Sequence, residues 1–343
     1  MKLDAFAMAA APSRSADLAR TAERCGFAGL WLPETGHNPF ILSALAGAAS
    51  ERALIGTNVA IALARSPMVT AQAAWDLAEI TGGRFVLGLG TQVRTHLERR
   101  FSVPSDRPVA RLRDHILAVR AIFDAFQGRA PLRYEGEFYK HTLLSDFFNA
   151  GPIEHPDVPI YVAGVNQGLA RLTGEVADGF CGHPVNSPHL FTTVVLPAIA
   201  EGALAAGRDP AAIEIVAPFF VAVGDDVEAP DVQAQRRTLK IQLGFYGTTP
   251  SYATMFEAHG FADLQPRLTA AARSGDLDLL VAEVTDEVFD TYAVTATWDE
   301  LPAVLTKRFE GIASRVLPYP ASDPFADPAV IERWAEVARA VNG

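Results

Sequence analysis

Two ionisable side chains follow a short apolar run near the N-terminus, in the stretch "LPETGHNPF" (residues 32–40). Glu34 and His37 lie three residues apart in this stretch. An imidazole accepts and releases protons readily near neutral pH, so His37 is a candidate proton carrier, and Glu34 is a candidate to orient it or to share its proton. The alternatives are a histidine that caps the next helix or meets solvent, and a carboxylate favoured by a helix dipole.

Glycine-containing stretches elsewhere suit the binding of a ligand close to the backbone. "AGVNQGLARL" (residues 163–172) places glycines before the start of a predicted helix, whose free N–H groups attract an anion such as a phosphate. An ordinary strand-to-helix turn is the alternative. "GLGTQ" (residues 88–92) is a weaker signal, because a strand end also needs small residues for packing. The sequence has neither metal-ligand spacing nor a G-x-S-x-G motif, so we expect neither metal catalysis nor serine hydrolysis.

Composition favours a protein that acts on a small molecule. The chain has 343 residues, of which 49% are hydrophobic, and this is enough for a large core in one or two domains. Its formal charge of -11 and the lack of a Lys/Arg run argue against nucleic acid or an anionic membrane as a partner. We find no signal peptide and no apolar stretch of about 18 residues, and we therefore expect a cytoplasmic protein. Cys25 and Cys181 are expected to be buried thiols without a disulfide.

Apolar runs of strand length alternate with helical patterns along the chain, which predicts repeated βα units around a parallel sheet. Eight such units predict an α/β fold of the (β/α)₈ TIM-barrel class. The competing doubly wound sheet normally has a Gly-rich turn in its first unit, and "AMAAAPS" is not such a turn. The eight predicted strands are "LDAFAM" (3–8), "GLWL" (29–32), "LIGTNVAIAL" (54–63), "RFVLGLG" (84–90), "VPIYVAG" (158–164), "GFCGH" (179–183), "IEIVAPFFVAV" (213–223) and "TYAVTA" (291–296).

The last two predicted strands are separated by more chain than one helix requires. We interpret residues 224–290 as an insertion between strands 7 and 8 of a single domain that spans 1–343. Three aromatic residues of the insertion, Phe245, Tyr246 and Tyr252, either close over a substrate or pack the insertion onto the barrel.

Two further elements follow from local patterns. "PLRYEGEFYKHT" (131–142) has the alternation and the central glycine of a small β-hairpin. Residues 327–343 form an amphipathic C-terminal helix, in which Asp327 is the N-cap and Pro328 takes the first helical position.

Two longer stretches resemble a known family. "ARSPMVTAQAAWDLAEITGGRFVLGLGTQ" (64–92) is similar to the third helix and fourth strand of the bacterial luciferase-like superfamily. "PIYVAGVNQGLARLTGEVADGFCGHP" (159–184) matches as well, and the likeness extends over residues 1–310. Members of this superfamily are (β/α)₈ barrels that bind a flavin or the deazaflavin coenzyme F420, and the nearest likeness is to the F420-dependent oxidoreductase branch.

The resemblance implies roles for residues around strands two and three. His37 matches the histidine that handles the proton at the reactive face of the ring. The family usually places an acidic residue directly before that histidine, whereas Thr35 and Gly36 separate Glu34 from His37 here. A non-prolyl cis peptide in strand three is also implied, at Asn58–Val59, or at Thr57–Asn58 after a shift of one residue.

The resemblance further implies that three strand ends contact the cofactor. The residues after strand four line the ring and the ribityl chain, those after strand five hold the phosphate, and those after strand six lie near the tail. In that order they are Gly90, Thr91 and Gln92; Ala163, Gly164, Val165 and Asn166; and Gly182 and His183.

The function that the sequence predicts is hydride transfer between F420 and a small organic substrate, with His37 in proton transfer. An FMN-dependent monooxygenase of the same superfamily is the first alternative, although "AGVNQG" is more similar to the backbone cradle of the deazaflavin branch. A non-catalytic F420- or flavin-binding protein is the second. Luciferase-like barrels often dimerise, so a homodimer is also expected.

Overall fold

A computed structural model describes residues 1–8 and 10–343 of the chain. Its strands fall into a large parallel sheet and one small hairpin. They are β1 (Lys2–Leu3), β2 (Ala5–Phe6), β3 (Gly29–Leu32), β4 (Leu54–Thr57), β5 (Ala60–Ile61), β6 (Phe85–Gly90), β7 (Tyr134–Glu135), β8 (Lys140–His141), β9 (Ile160–Ala163), β10 (Gly179–Cys181), β11 (Glu214–Gly224), β12 (Ala293–Thr297) and β13 (Arg315–Pro320).

The parallel sheet closes on itself as a barrel. Its order is β1-β13-β11-β10-β9-β6-β4-β3-β2, and β1 and β2 are consecutive pieces of one strand on either side of Asp4. The first strand therefore pairs with β13 through β1 and with β3 through β2. This arrangement confirms the predicted TIM-barrel class.

The strand that closes the barrel differs from the one that the sequence predicts. The predicted eighth strand at 291–296 exists as β12, but it pairs only with the upper part of β11. Phe220 and Val221 pair with β12 and with β13 at once, so these two strands lie on opposite edges of β11. The barrel position belongs to β13, and the prediction was wrong because Pro318 and Pro320 interrupt the strand pattern there.

Helices cover the outside of the barrel. They are α1 (Pro12–Arg24), α2 (Pro39–Ala49), α3 (Pro67–Thr81), α4 (Arg94–Arg99), α5 (Pro108–Phe126), α6 (Gln167–Val176), α7 (Pro188–Leu190), α8 (Leu196–Ala205), α9 (Pro230–Gly247), α10 (Ala253–Glu257), α11 (Leu264–Ser274), α12 (Leu277–Glu283), α13 (Asp286–Tyr292), α14 (Leu301–Phe309) and α15 (Pro328–Asn342). Helices α9 to α13 lie between β11 and β12, where the sequence predicts an insertion.

The predicted local elements of the second half of the chain are present. Strands β7 and β8 pair antiparallel as the expected hairpin. Helix α15 begins at Pro328, and the Asp327 carboxylate accepts a hydrogen bond of 2.9 Å from the N–H of Ala329. Asp327 is therefore the N-cap that the sequence predicts.

Residues Pro188–Ala205 form a continuous helical segment through α7, a π-helical turn and α8. By length and composition it could cross a membrane, contrary to the expectation that no stretch is long and apolar enough. In the structure it packs closely on α6, where an added Cβ at Gly202 would lie 2.0 Å from the Arg171 carbonyl oxygen. Ala198 and Ile199 are buried, which is typical of a helix that faces a protein core.

A charged network lies inside the barrel, at the junction of the first and last strands. The buried Asp4 carboxylate accepts hydrogen bonds from Arg315 Nη1, at 2.8 and 2.9 Å, and from Trp31 Nε1, at 2.8 Å. Arg315 Nε also lies 3.3 Å from Glu214, which accepts a hydrogen bond of 2.5 Å from the Tyr161 hydroxyl. The buried charges of Asp4 and Arg315 are therefore paired with each other and hydrogen-bonded to neighbouring side chains.

We predict that Asp4→Asn lowers the free energy of unfolding by about 3 kcal/mol, because the buried Arg315 guanidinium loses its buried counter-charge and retains the half-exposed Glu214 carboxylate at 3.3 Å. Chemical denaturation measures this change. The matched control is Asp17→Asn, which removes the exposed partner of Arg20 and should cost less than about 1 kcal/mol. Equal losses in the two variants would contradict the role of Asp4 in closing the barrel.

Candidate active site at the carboxyl end of the barrel

The predicted site residues follow strands that run parallel, so the structure brings them to the same end of the barrel. His37 and Glu34 follow β3, and Asn58 and Val59 separate β4 from β5. The remaining three groups lie at or directly after the ends of β6, β9 and β10. The same end also receives Tyr246 and Tyr252 from the segment between β11 and β12. This end of the barrel, called the mouth below, is the candidate active site.

Glu34 is held in place by a two-point ion pair with Arg65. The Arg65 guanidinium donates to both carboxylate oxygens at 2.7 Å, and the N–H of Ile61 donates to Oε2 at 2.8 Å. Both side chains are largely buried, at 7% exposure for Glu34 and 13% for Arg65. The Arg65 guanidinium also lies over the Phe40 ring, 5.3 Å from its centroid. Glu34 is thus fixed to β5 through Ile61 and to the residues that follow β5 through Arg65.

His37 is separate from this pair. It lies exposed in the loop between β3 and α2, and its side chain has no hydrogen bond to any residue that the structure describes. The loop itself is anchored, since Asn38 caps α2 by accepting from the N–H of Phe40 at 3.0 Å and Arg100 donates to the Thr35 carbonyl. The imidazole is therefore free to contact a ligand from a fixed backbone position.

The backbone between β4 and β5 has the predicted irregularity. The peptide bond between Asn58 and Val59 is cis, which confirms the preferred position over Thr57–Asn58. Glycines make room for it, because an added Cβ at Gly88 would lie 1.8 Å from the Thr57 carbonyl oxygen and one at Gly90 would lie 2.6 Å from Val59 Cγ2. This close approach is the physical reason for the "GLG" pattern in β6.

One polar atom beside the irregular segment has no partner. The Asn58 side-chain nitrogen Nδ2 is buried and makes no hydrogen bond to the part of the chain that the structure describes. A buried N–H donor without an acceptor costs free energy, so such an atom is typical of a position where a ligand supplies the acceptor.

The residues after β6 turn sharply into the next loop. Gln92 has a left-handed backbone with φ of 63°, which is uncommon for a residue other than glycine. Its side-chain oxygen accepts a hydrogen bond of 2.8 Å from the N–H of Val93. Thr91 and Gln92 are half-buried, so both are partly accessible at the mouth.

The turn from β9 to α6 carries a row of free backbone donors. Asn166 is the N-cap of α6, and its side chain accepts from the N–H of Leu169 at 3.0 Å. The N–H groups of residues 165–168 have no partner among the described residues. Gly164 is tightly placed, since an added Cβ would lie 2.6 Å from Leu169 Cβ. The N-terminus of α6 can therefore bind an anion through its amides and its dipole.

His183, after β10, is enclosed by aromatic rings. Its ring lies edge-on to Tyr246 with centroids 4.7 Å apart, and it lies 5.0 Å from the ring of Tyr252. Burial lowers the pKa of His183 to about 3, so the imidazole is neutral near pH 7. Its Nδ1 accepts from the N–H of Val185 at 3.3 Å, and we therefore assign the ring proton to Nε2. Gly182, next to it, hydrogen-bonds through its N–H to the Val216 carbonyl at 2.9 Å.

Two residues that the sequence prediction missed complete this side of the mouth. Tyr319 at the end of β13 stacks on Phe6 with centroids 4.4 Å apart, and burial raises the pKa of its hydroxyl well above the usual value. Gln242 in α9 donates to the Tyr246 hydroxyl at 3.3 Å. Tyr319 was not predicted because β13, the strand that carries it, was not predicted. Gln242 has no sequence signal other than its place in the insertion. Phe245 is 48% exposed, whereas Tyr246 and Tyr252 pack against the barrel.

Comparison with known proteins places the chain among luciferase-like barrels. The family model for luciferase-like monooxygenases matches residues 3–313. An uncharacterised protein of Mycobacterium tuberculosis is 39% identical over 307 residues, which cover 89% of each chain. An F420-dependent glucose-6-phosphate dehydrogenase of Nakamurella multipartita is 33% identical over 211 residues, which cover 57% of this chain and 60% of that one.

A solved structure supports the fold in the same way. The coenzyme F420-dependent tetrahydromethanopterin reductase of Methanopyrus kandleri superposes with a TM-score of 0.79 at 20% sequence identity. The superposition covers 98% of this chain and 97% of the other. At this identity the likeness establishes the barrel fold.

We predict that Glu34 and Arg65 are energetically coupled in a double-mutant cycle of Glu34→Gln and Arg65→Leu. Each single variant leaves a buried charge unpaired. The sum of the two single-variant losses in unfolding free energy should therefore exceed the loss of the double variant by about 1–3 kcal/mol. The control cycle uses Arg94 and Glu98, whose ion pair on α4 is exposed and should couple by about 0.3–0.5 kcal/mol. Additive losses at Glu34 and Arg65 would show that the ion pair does not fix the rim.

Proposed function

Because the chain belongs to the luciferase-like monooxygenase family, we propose that it is an oxidoreductase that uses coenzyme F420 to transfer hydride to or from a small organic substrate. When bound, the deazaflavin supplies the hydride chemistry, and the protein supplies position and a path for the proton. The F420 dependence of named relatives supports the choice of coenzyme. The observation that carries the proposal is the row of free amides before α6, at the same end of the barrel as the exposed His37.

The donors at the mouth fit the polar groups of such a coenzyme. The backbone N–H groups of residues 165–168 would hold a phosphate at the start of α6, in agreement with the motif from Ala163 to Asn166. The unpartnered Asn58 Nδ2 is a donor for an oxygen or nitrogen at the edge of a ring. Val59 and the neighbouring Gly90 would form the apolar support behind it.

His37 is the residue that we propose for proton transfer. Its imidazole is exposed at the mouth and is not held by another side chain among the described residues, so it can accept or release the substrate's proton. Glu34 is bound to Arg65 and to the backbone of Ile61, so we propose that it positions the rim beneath His37 and does not itself carry the proton. His183 is neutral, and its Nε2–H is available as a hydrogen-bond donor.

An FMN-dependent monooxygenase is the second candidate, because the matching family model is named for luciferase-like monooxygenases. A direct titration separates the two. Purified protein is titrated with F420 and, separately, with FMN, and bound coenzyme is followed by its fluorescence. Tighter binding of F420 supports the proposal, and tighter binding of FMN would favour the monooxygenase.

We predict that His37→Ala binds F420 with unchanged affinity but loses about 10²–10⁴-fold in turnover, because it removes the proton carrier and leaves the phosphate site intact. Affinity is measured by the same titration, and turnover by the change in coenzyme absorbance with a substrate that the wild type accepts. The control is His155→Ala, which alters an exposed histidine near Gly83, at the opposite end of the barrel. Unchanged turnover of His37→Ala, with His155→Ala also unchanged, would show that His37 has no role in the reaction.

A further inference from the structure

A cavity of about 210 Å³ lies over the carboxyl ends of β2 and β13. It is lined by residues that follow these two strands and by side chains of α1 and α9, and is called the rim cavity below. Phe6 and Tyr319, whose rings are stacked, lie at its inner side. The cavity is at the same end of the barrel as His37 and the start of α6, because all barrel strands run parallel.

The rim cavity borders the aromatic side of the mouth through a chain of side-chain contacts. Gln242 lines the cavity and donates to the Tyr246 hydroxyl at 3.3 Å. Tyr246 in turn lies against the His183 ring, and Phe220 packs against both Tyr246 and Tyr319. Two side chains, Gln242 and Tyr246, therefore separate a molecule in the rim cavity from His183.

The lining restricts the size and polarity of a ligand. Most of the lining is apolar and includes Phe6, Met8, Leu18, Pro320 and Ala321. A dry apolar cavity of about 150 Å³ holds a benzene molecule, so 210 Å³ accommodates a six-membered ring with a small substituent. A drug-sized ligand usually requires at least about 300 Å³.

The charged side chains that line the rim cavity neutralise each other. Arg14 is the one cation among the described lining residues, and its Nη1 lies 3.0 Å from the Asp323 carboxylate. The remaining polar groups include the Gln242 amide and the Tyr319 hydroxyl, which stays protonated because burial raises its pKa. An anionic ligand would lose its hydration without gaining a free counter-charge, whereas a neutral oxygen can accept a hydrogen bond from either donor.

We propose that the rim cavity is the substrate site and that it selects a small, uncharged, mainly apolar molecule with one hydrogen-bonding oxygen, such as a cyclic ketone or alcohol. This inference rests on the proposed function, since it assigns the substrate class of that reaction. Phosphorylated sugars, the substrate class in the name of one relative, are disfavoured in this cavity by its apolar lining and by the neutralisation of Arg14.

The test measures binding to the full-length protein without coenzyme, so that it does not depend on turnover. Saturation-transfer NMR titrations use three probes: cyclohexanone, cyclohexanecarboxylate and glucose 6-phosphate. We expect saturable binding of cyclohexanone, at least fivefold weaker binding of the carboxylate, and no binding of the sugar phosphate. Equal or tighter binding of either anion would overturn the proposal.

Two variants assign the binding to this cavity. Ala321→Phe fills the space and should weaken cyclohexanone binding at least tenfold. Asp323→Asn frees Arg14 and should strengthen carboxylate binding relative to cyclohexanone binding about fivefold, the factor that corresponds to a surface ion pair of about 1 kcal/mol. Thermal unfolding checks that both variants are folded. Cyclohexanone binding that survives Ala321→Phe in a folded protein would place the substrate site elsewhere.

The outcomes for the cavity and for the coenzyme are separate. Binding of F420 without binding of cyclohexanone would contradict the substrate site and leave the proposed function intact. Binding of cyclohexanone without binding of F420 would contradict the proposed function while retaining a site for neutral molecules. If the Asp323→Asn variant binds the carboxylate no more tightly than the wild type, Arg14 does not control the charge preference of the cavity.

Discussion

The ion pair between Asp4 and Arg315 joins the first barrel strand to the last, and the geometry of the mouth depends on that closure. The two residues are 311 positions apart in the chain, yet their side chains meet at 2.8 Å inside the barrel. Burial of two charges is costly unless they are paired and hydrogen-bonded, and Trp31 and Glu214 supply the additional partners. With the barrel closed, loops from distant parts of the sequence are held around one opening.

The mouth combines side chains that are held by ion pairs with polar groups that have no hydrogen-bond partner among the described residues. Glu34 and Arg65 satisfy each other and fix the strand that follows the cis peptide. His37, Asn58 Nδ2 and the amides before α6 have no partner among the described residues. A rigid frame with unpaired donors is what a protein needs to bind a polar coenzyme without reorganisation, because the donors are already oriented. The aromatic group around His183 forms a neutral and less polar side of the mouth.

The sequence predicted most of the strands because buried parallel strands are continuous apolar runs, as in "GLWL" and "FVLGLG". It also predicted the cap at Asp327, where the side chain and the following proline leave few alternatives. The closing strand was missed because "RVLPYP" carries two prolines, and β12 took its place since its local pattern is that of a good strand. The ion pair of Glu34 with Arg65 was not predicted, because pairing between distant residues depends on tertiary structure that no local pattern contains.

We propose that the mouth binds coenzyme F420, and a crystal structure of the complex would show directly where the coenzyme lies. We expect a coenzyme phosphate to contact the backbone amides of residues 165–168, with the ring beside Val59 and Gly90 and within reach of His37. A coenzyme bound away from the mouth, for example in the polar cavity between α9 and α13 that Arg236 and Arg308 line, would contradict it.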